Sequence, residues 1–89
     1  MSNRFDFREW MFRRARGAIE AYVIGKVDMN WVLGVLKGSL GVSRGETLMI
    51  ISQLKRDKSF IWDFKRLERI NELERRVLAE KWWPNFMSW

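Results

Sequence analysis

The residues best equipped for chemistry in this chain are three carboxylates, Asp63, Glu68 and Glu72, spaced four or five apart so that a helix brings them near one another. Carboxylates grouped in this way can move a proton in acid-base work or share a metal ion. Here they are interleaved with Lys65, Arg66, Arg69 and Arg76, and carboxylates among cations on a surface helix form ion pairs far more readily than they do catalysis. The chain has no cysteine and no histidine, which removes disulfides, thiol nucleophiles, Cys/His zinc sites, the Ser-His-Asp arrangement and the imidazole that moves protons near neutral pH. The glycines at 34, 38, 41 and 45 fit neither the dinucleotide fingerprint nor a phosphate loop, and no Gly-Lys-Ser/Thr is present. The expectation is a protein that is not an enzyme and uses no cofactor or metal.

Recognition is the chemistry that remains. Seventeen Lys and Arg face eleven Asp and Glu, a net charge of +6 that leans towards the N-terminus, and most of the cations are Arg, whose guanidinium fork suits phosphate and carboxylate. Double-stranded DNA or an acidic protein surface is the natural partner, although the same charge also serves ordinary solubility. No uncharged run approaches the ~20 apolar residues of a membrane-spanning helix; Met29 to Leu36 and Thr47 to Leu54 are typical of the longest. The basic start, with Glu20 breaking the apolar stretch Ala18 to Ile24, reads as mature protein rather than a signal peptide. Lack of cysteine fits a reducing, cytoplasmic setting.

Eighty-nine residues, 47% of them hydrophobic and 15% aromatic, make one domain spanning 1–89 with a buried core of its own. The elements that hold the arginines in place are helices. Phe7, Met11, Ala15, Ala18, Ile19, Tyr22 and Val23 recur at helical spacing over 7–24, with Asp6 at the start and Gly25 as the stop. Asp28 caps a second, mostly buried helix over 29–39, where Gly34 and Gly38 call either for a helix crossing close over the bare backbone or for a short, irregular element. Ser43 and Glu46 form a capping box that opens a third helix over 44–55, apolar all round at Thr47 to Ile51. Ser59 caps a long C-terminal helix over 59–82, with Phe60, Phe64, Leu67, Ile70, Val77, Leu78 and Trp82 as its apolar stripe and Asn71 and Glu74 as polar insertions. The fold class is all-α, a compact bundle of about four helices followed by an aromatic tail.

Leu40, Gly41, Val42, Ser43 and Arg44 stand between two short helices, with Leu36 and Ile50 as further apolar positions. Over about residues 33–52 this pattern resembles the helix-turn-helix of DNA-binding domains, in which a turn glycine between apolar residues introduces the recognition helix. An ordinary capped helix-helix corner uses the same glycine and serine for local reasons. The chain departs from the pattern at Lys37, where a small residue is usual, at Thr47, where an aliphatic is usual, and at Leu48 and Met49, where base-reading polar residues are usual. The resemblance implies a small regulator that binds double-stranded DNA as a dimer. Arg44 and Gln53 would meet base edges, Ser43, Ser52 and Arg56 phosphates, and Arg13, Arg14 and Arg16 further backbone, unless those three simply form a solvated helix face.

The tail supplies Trp82, Trp83, Phe86, Met87 and Trp89 within eight residues, a set expected to pack on its own helices or at a partner or oligomer interface. Deletion after Lys81 is therefore expected to damage folding or self-association. The reading that competes with DNA binding is a non-catalytic protein-interaction module, such as a small viral, phage-type inhibitor or adaptor that clamps a host protein with its third helix and tryptophans.

Overall fold

Among the described residues, the four α-helix starts are set by side chains that reach forward three residues. The computed structural model describes residues 6–82. Asp6 accepts a hydrogen bond from the Glu9 amide at 3.2 Å and opens α1, Phe7–Val23. The helix closes on Gly25, whose φ of +92° lets the Gly25 and Lys26 amides turn back onto the Tyr22 and Ala21 carbonyls. A Cβ on Gly25 would also meet the Arg69 guanidinium, the movable tip of a long side chain, so the positive φ is what calls for glycine there.

Asp28 accepts from the Trp31 amide at 2.8 Å and starts α2, Met29–Gly34, which widens without a break into a π-helical turn, Val35–Ser39. The wide turn is closed by the Leu40 amide bonding the Val35 carbonyl at 2.8 Å, five residues back. Among the described residues no helix crosses over Gly34 or Gly38: a Cβ added at either meets nothing within 4 Å, and the glycines accompany an irregular helix end instead of a close crossing. Trp31 corrects the expectation of a mostly buried second helix, because it is 49% exposed while Val32, Leu33 and Leu36 are buried. Since Gly34 has helical dihedrals and open space around it, Gly34→Ala is expected to stabilise the protein by about 0.5–1 kcal/mol and raise the melting midpoint by a few degrees. An unchanged or lower midpoint in a thermal melt would show that the wide turn requires glycine.

Ser43 and Glu46 complete the capping box of α3, Arg44–Arg56, with the Ser43 hydroxyl accepting from the Glu46 amide at 3.1 Å. The fourth helix, α4, spans Phe64–Ala79 and so begins five residues later than the sequence predicts. Asp57 is the cause. Its carboxylate takes the Ser59 amide, the Ser59 hydroxyl and the Phe60 amide, so the serine expected to cap a helix serves an Asp turn, and Asp63 caps α4 through the Arg66 amide at 2.9 Å. The shift also redraws the stripe. Ile70, Leu73 and Val77 are buried, whereas Phe64 at 70% exposed, Leu67 and Leu78 face solvent. The polar insertion Glu74 is half-buried and bonds Lys55 of α3 at 3.0 Å.

The core joins Met11, Ala15, Ile19 and Val23 of α1, Val32 and Leu36, Ile50, Ile51 and Leu54 of α3, and the buried trio of α4, with Val42 and Trp82 closing one end. Helices α3 and α4 pack on one another, and α1 touches α2, its π turn, α3 and α4. The described residues are all-α without a strand, and none of their helices is long and apolar enough to cross a membrane.

Candidate nucleic-acid interface

The corner between α2 and α3 is built by Gly41, at φ +66°, and by the Val42 amide bonding the Leu36 carbonyl at 2.8 Å. Leu36, Val42, Thr47 and Ile50 are buried beneath it and Leu40 is half-buried. Thr47 is tolerated in the core because its hydroxyl donates to the Ser43 carbonyl at 2.9 Å.

The end of α4 clasps this corner. After Ala79 the backbone turns extended at Glu80, and Trp82, 1% exposed, sinks beside Val42 and donates its indole N–H to the Val42 carbonyl at 2.6 Å. Lys37 spans the junction: its ammonium lies 2.7 Å from a Glu80 carboxylate oxygen and 5.5 Å from the centre of the Trp82 ring. The second Glu80 oxygen takes the Arg76 guanidinium. Hydrogen bonds from Lys37 and then Arg76 hold the Glu80 carboxyl below its ordinary value of 4.5. A carboxyl lowered by folding contributes stability that is present above its unfolded pKa and is lost as the pH falls through its folded one. The melting midpoint is therefore expected to drop as the pH falls below 4.5, and Glu80→Gln is expected to shrink that drop while starting from a lower midpoint at neutral pH. A pH series of melts in which the two proteins lose stability in parallel would refute this role for Glu80.

Of the residues the sequence marks for nucleic acid, three share one solvent face of α3. Ser52, Gln53 and Arg56 are exposed there with Gly45 and with Met49, opposite the buried Thr47, Ile50, Ile51 and Leu54. Two others are engaged elsewhere. The Ser43 hydroxyl is occupied by the capping box, and Arg44 is half-buried, donating through Nη2 to the backbone carbonyl of Glu80, with its Nε buried. The three α1 arginines are exposed but not together. Arg16 pairs with Glu20 at 3.1 Å, whereas Arg13 and Arg14 line a groove between α1 and the α2 side. Arg13 also pairs with Glu9 at 3.3 Å, and Arg14 stacks over the Trp10 ring at 5.5 Å.

Trp82, assigned to a partner or oligomer interface from sequence, is buried within its own chain. Trp83, Phe86, Met87 and Trp89 lie outside the described residues. Asp63 caps α4, while Glu68 and Glu72 line one shallow recess with Tyr22, Arg69 and Arg75, where Glu72 bonds Arg75. Among the described residues no group of three or more His, Cys, Asp or Glu is placed to hold a metal ion.

Sequence reasoning missed Lys37 and Glu80 as clasp residues, which stand 43 positions apart and carry no local signal. It also missed the groove, whose trace is the run Trp10, Arg14, Gly17 and Ala21 along one side of α1. Among the described residues, the class these observations define is an all-α globule of four helices with a clasped helix-turn corner. Comparison of the chain with protein families, with curated proteins and with solved structures finds no match in any of the three.

Proposed function

We propose that the protein is a small, basic, non-catalytic binder of double-stranded DNA that lays the exposed face of α3 on the duplex, in the manner of a helix-turn-helix regulator. The observation that carries this reading is the two-sidedness of α3. One side is locked into the core directly after the Gly41 corner, and the other offers Ser52, Gln53 and Arg56 to solvent. A rigid helix with polar and cationic groups on its free side is what major-groove recognition requires. Gln53 takes the base-reading role, with Ser52 and Arg56 on phosphates and Met49 placed for apolar contact with a thymine methyl. Arg16, exposed on α1, adds a further phosphate contact. Arg44 is reassigned from base reading to holding the corner, because its guanidinium is spent on Glu80. So few contacts per copy call for a dimer on paired half-sites.

The test is fluorescence anisotropy on selected and random duplexes over about 50–200 mM salt. Affinity should fall linearly with salt on logarithmic axes, and Arg56→Ala should weaken binding to all sequences and reduce the slope by about one. Gln53→Ala should erase about 1–3 kcal/mol of preference for the selected site. Absence of binding at physiological salt, or a Gln53→Ala protein with unchanged preference, would overturn the assignment.

A further inference from the structure

A second surface lies on the other side of α1. Arg8 faces α3 through a 3.1 Å ion pair with Glu46, whereas Trp10, Arg14, Gly17 and Ala21 look the opposite way onto α2 and its π turn. Between these elements runs an open groove of about 620 Å³, within the size range of sites that take apolar ligands or anchors. Its walls are Trp10 and Ala21 on one side and Trp31, Val35 and Leu40 on the other. Its floor includes the bare backbone of Gly17, where an added Cβ would meet nothing within 4 Å. A glycine inside a helix costs about 1 kcal/mol relative to alanine, and no contact among the described residues uses the space it leaves.

Charge decides what fits. Arg13 and Arg14 line the same groove, both solvent-exposed, and the Arg14 guanidinium is already held over the Trp10 ring. Another copy of a chain with net charge +6 brings like charge to a cationic groove. A duplex brings phosphates but no apolar side chains for Trp31, Val35 and Leu40. An amphipathic helix brings both what the walls and what the rim require, with apolar side chains at i, i+3 and i+7 to fill the groove and flanking carboxylates for the arginine forks. We infer that the groove formed by Trp10, Gly17, Trp31 and Leu40 under Arg13 and Arg14 docks an acidic amphipathic helix of a partner protein. This surface does not depend on DNA binding by α3, and a regulator carrying both would join a duplex to a second protein.

The experiment uses the full chain and a fluorescein-labelled synthetic peptide of about 15 residues, long enough to form a helix, with leucines at i, i+3, i+4 and i+7 and glutamates elsewhere. A matched peptide carries lysine in place of glutamate. Anisotropy should show saturable binding of the acidic peptide only. Arg14→Glu and Gly17→Leu, each confirmed as folded by circular dichroism, should weaken it by about tenfold or more, with duplex binding by Gly17→Leu retained. Arg14→Glu, an exposed change, keeps the test decisive if leucine at 17 disturbs the helix. Failure of the acidic peptide to bind, or equal binding by the variants, overturns the inference. So does binding that appears only when Phe86 and Trp89 are changed to serine, which would make this chain's own C-terminus the occupant. Self-association that Gly17→Leu abolishes would overturn it in favour of a second copy.

Discussion

Trp82→Ala is expected to destabilise the protein by about 3–5 kcal/mol, the usual loss when a buried indole is cut to a methyl group. Against a total of about 5–15 kcal/mol for a domain of this size, that change brings the chain close to unfolding at ambient temperature. The ring is 1% exposed, its N–H is the donor to the Val42 carbonyl, and Lys37 rests against its face, so alanine leaves a cavity, an unpaired carbonyl and a displaced cation together. At about 4–8 °C per kcal/mol, the melting midpoint should fall by roughly 12–40 °C. Trp82→Phe keeps most of the volume and loses the donor, and should fall between alanine and the parent. Truncation after Lys81 removes the same ring and should lower the midpoint at least as far as alanine does. A Trp82→Ala protein melting within a few degrees of the parent would show that the corner holds itself.

Arg44→Ala is the second large change expected, and its sign separates two roles for one residue. As a clamp, Arg44 supplies a charge-assisted hydrogen bond to the Glu80 carbonyl from a half-buried position, and its loss should cost about 1–3 kcal/mol and lower the midpoint. Part of that loss is offset because the buried Nε disappears with the side chain. As a base reader it would leave stability alone and erase sequence preference. The expected outcome is a lower midpoint with preference among duplexes unchanged under conditions where the variant is folded. Loss of preference at an unchanged midpoint would return Arg44 to the recognition surface.

The starts of α1, α2 and α3 were legible because capping is local: Asp6, Asp28 and Ser43 each bind an amide three residues ahead. The start of α4 was not. Asp57, Ser59 and Asp63 can all cap, and the choice among them is made when the Asp57 carboxylate gathers Ser59 and Phe60 while Arg66 bonds the Phe60 carbonyl at 2.9 Å. Ser52, Gln53 and Arg56 could be read as one polar face from helical spacing alone, since the same spacing buries Ile50, Ile51 and Leu54. The fate of Arg44 could not, because its partner is 36 positions away and no periodicity in α3 reports where α4 ends. Trp31 reads as a buried residue by type and spacing; its exposure depends on which side of the short α2 meets α1, a tertiary choice that α2 alone does not encode.

Amide chemical-shift mapping of the isotope-labelled protein with a selected duplex tests the central claim most directly. The account predicts the largest shifts along Gly45, Met49, Ser52, Gln53 and Arg56, with smaller ones at Arg16 and none centred on Gly17, Trp31 or Leu40. Shifts concentrated on the α1 groove with α3 unmoved, or none at all at a salt concentration where the duplex binds, would contradict it.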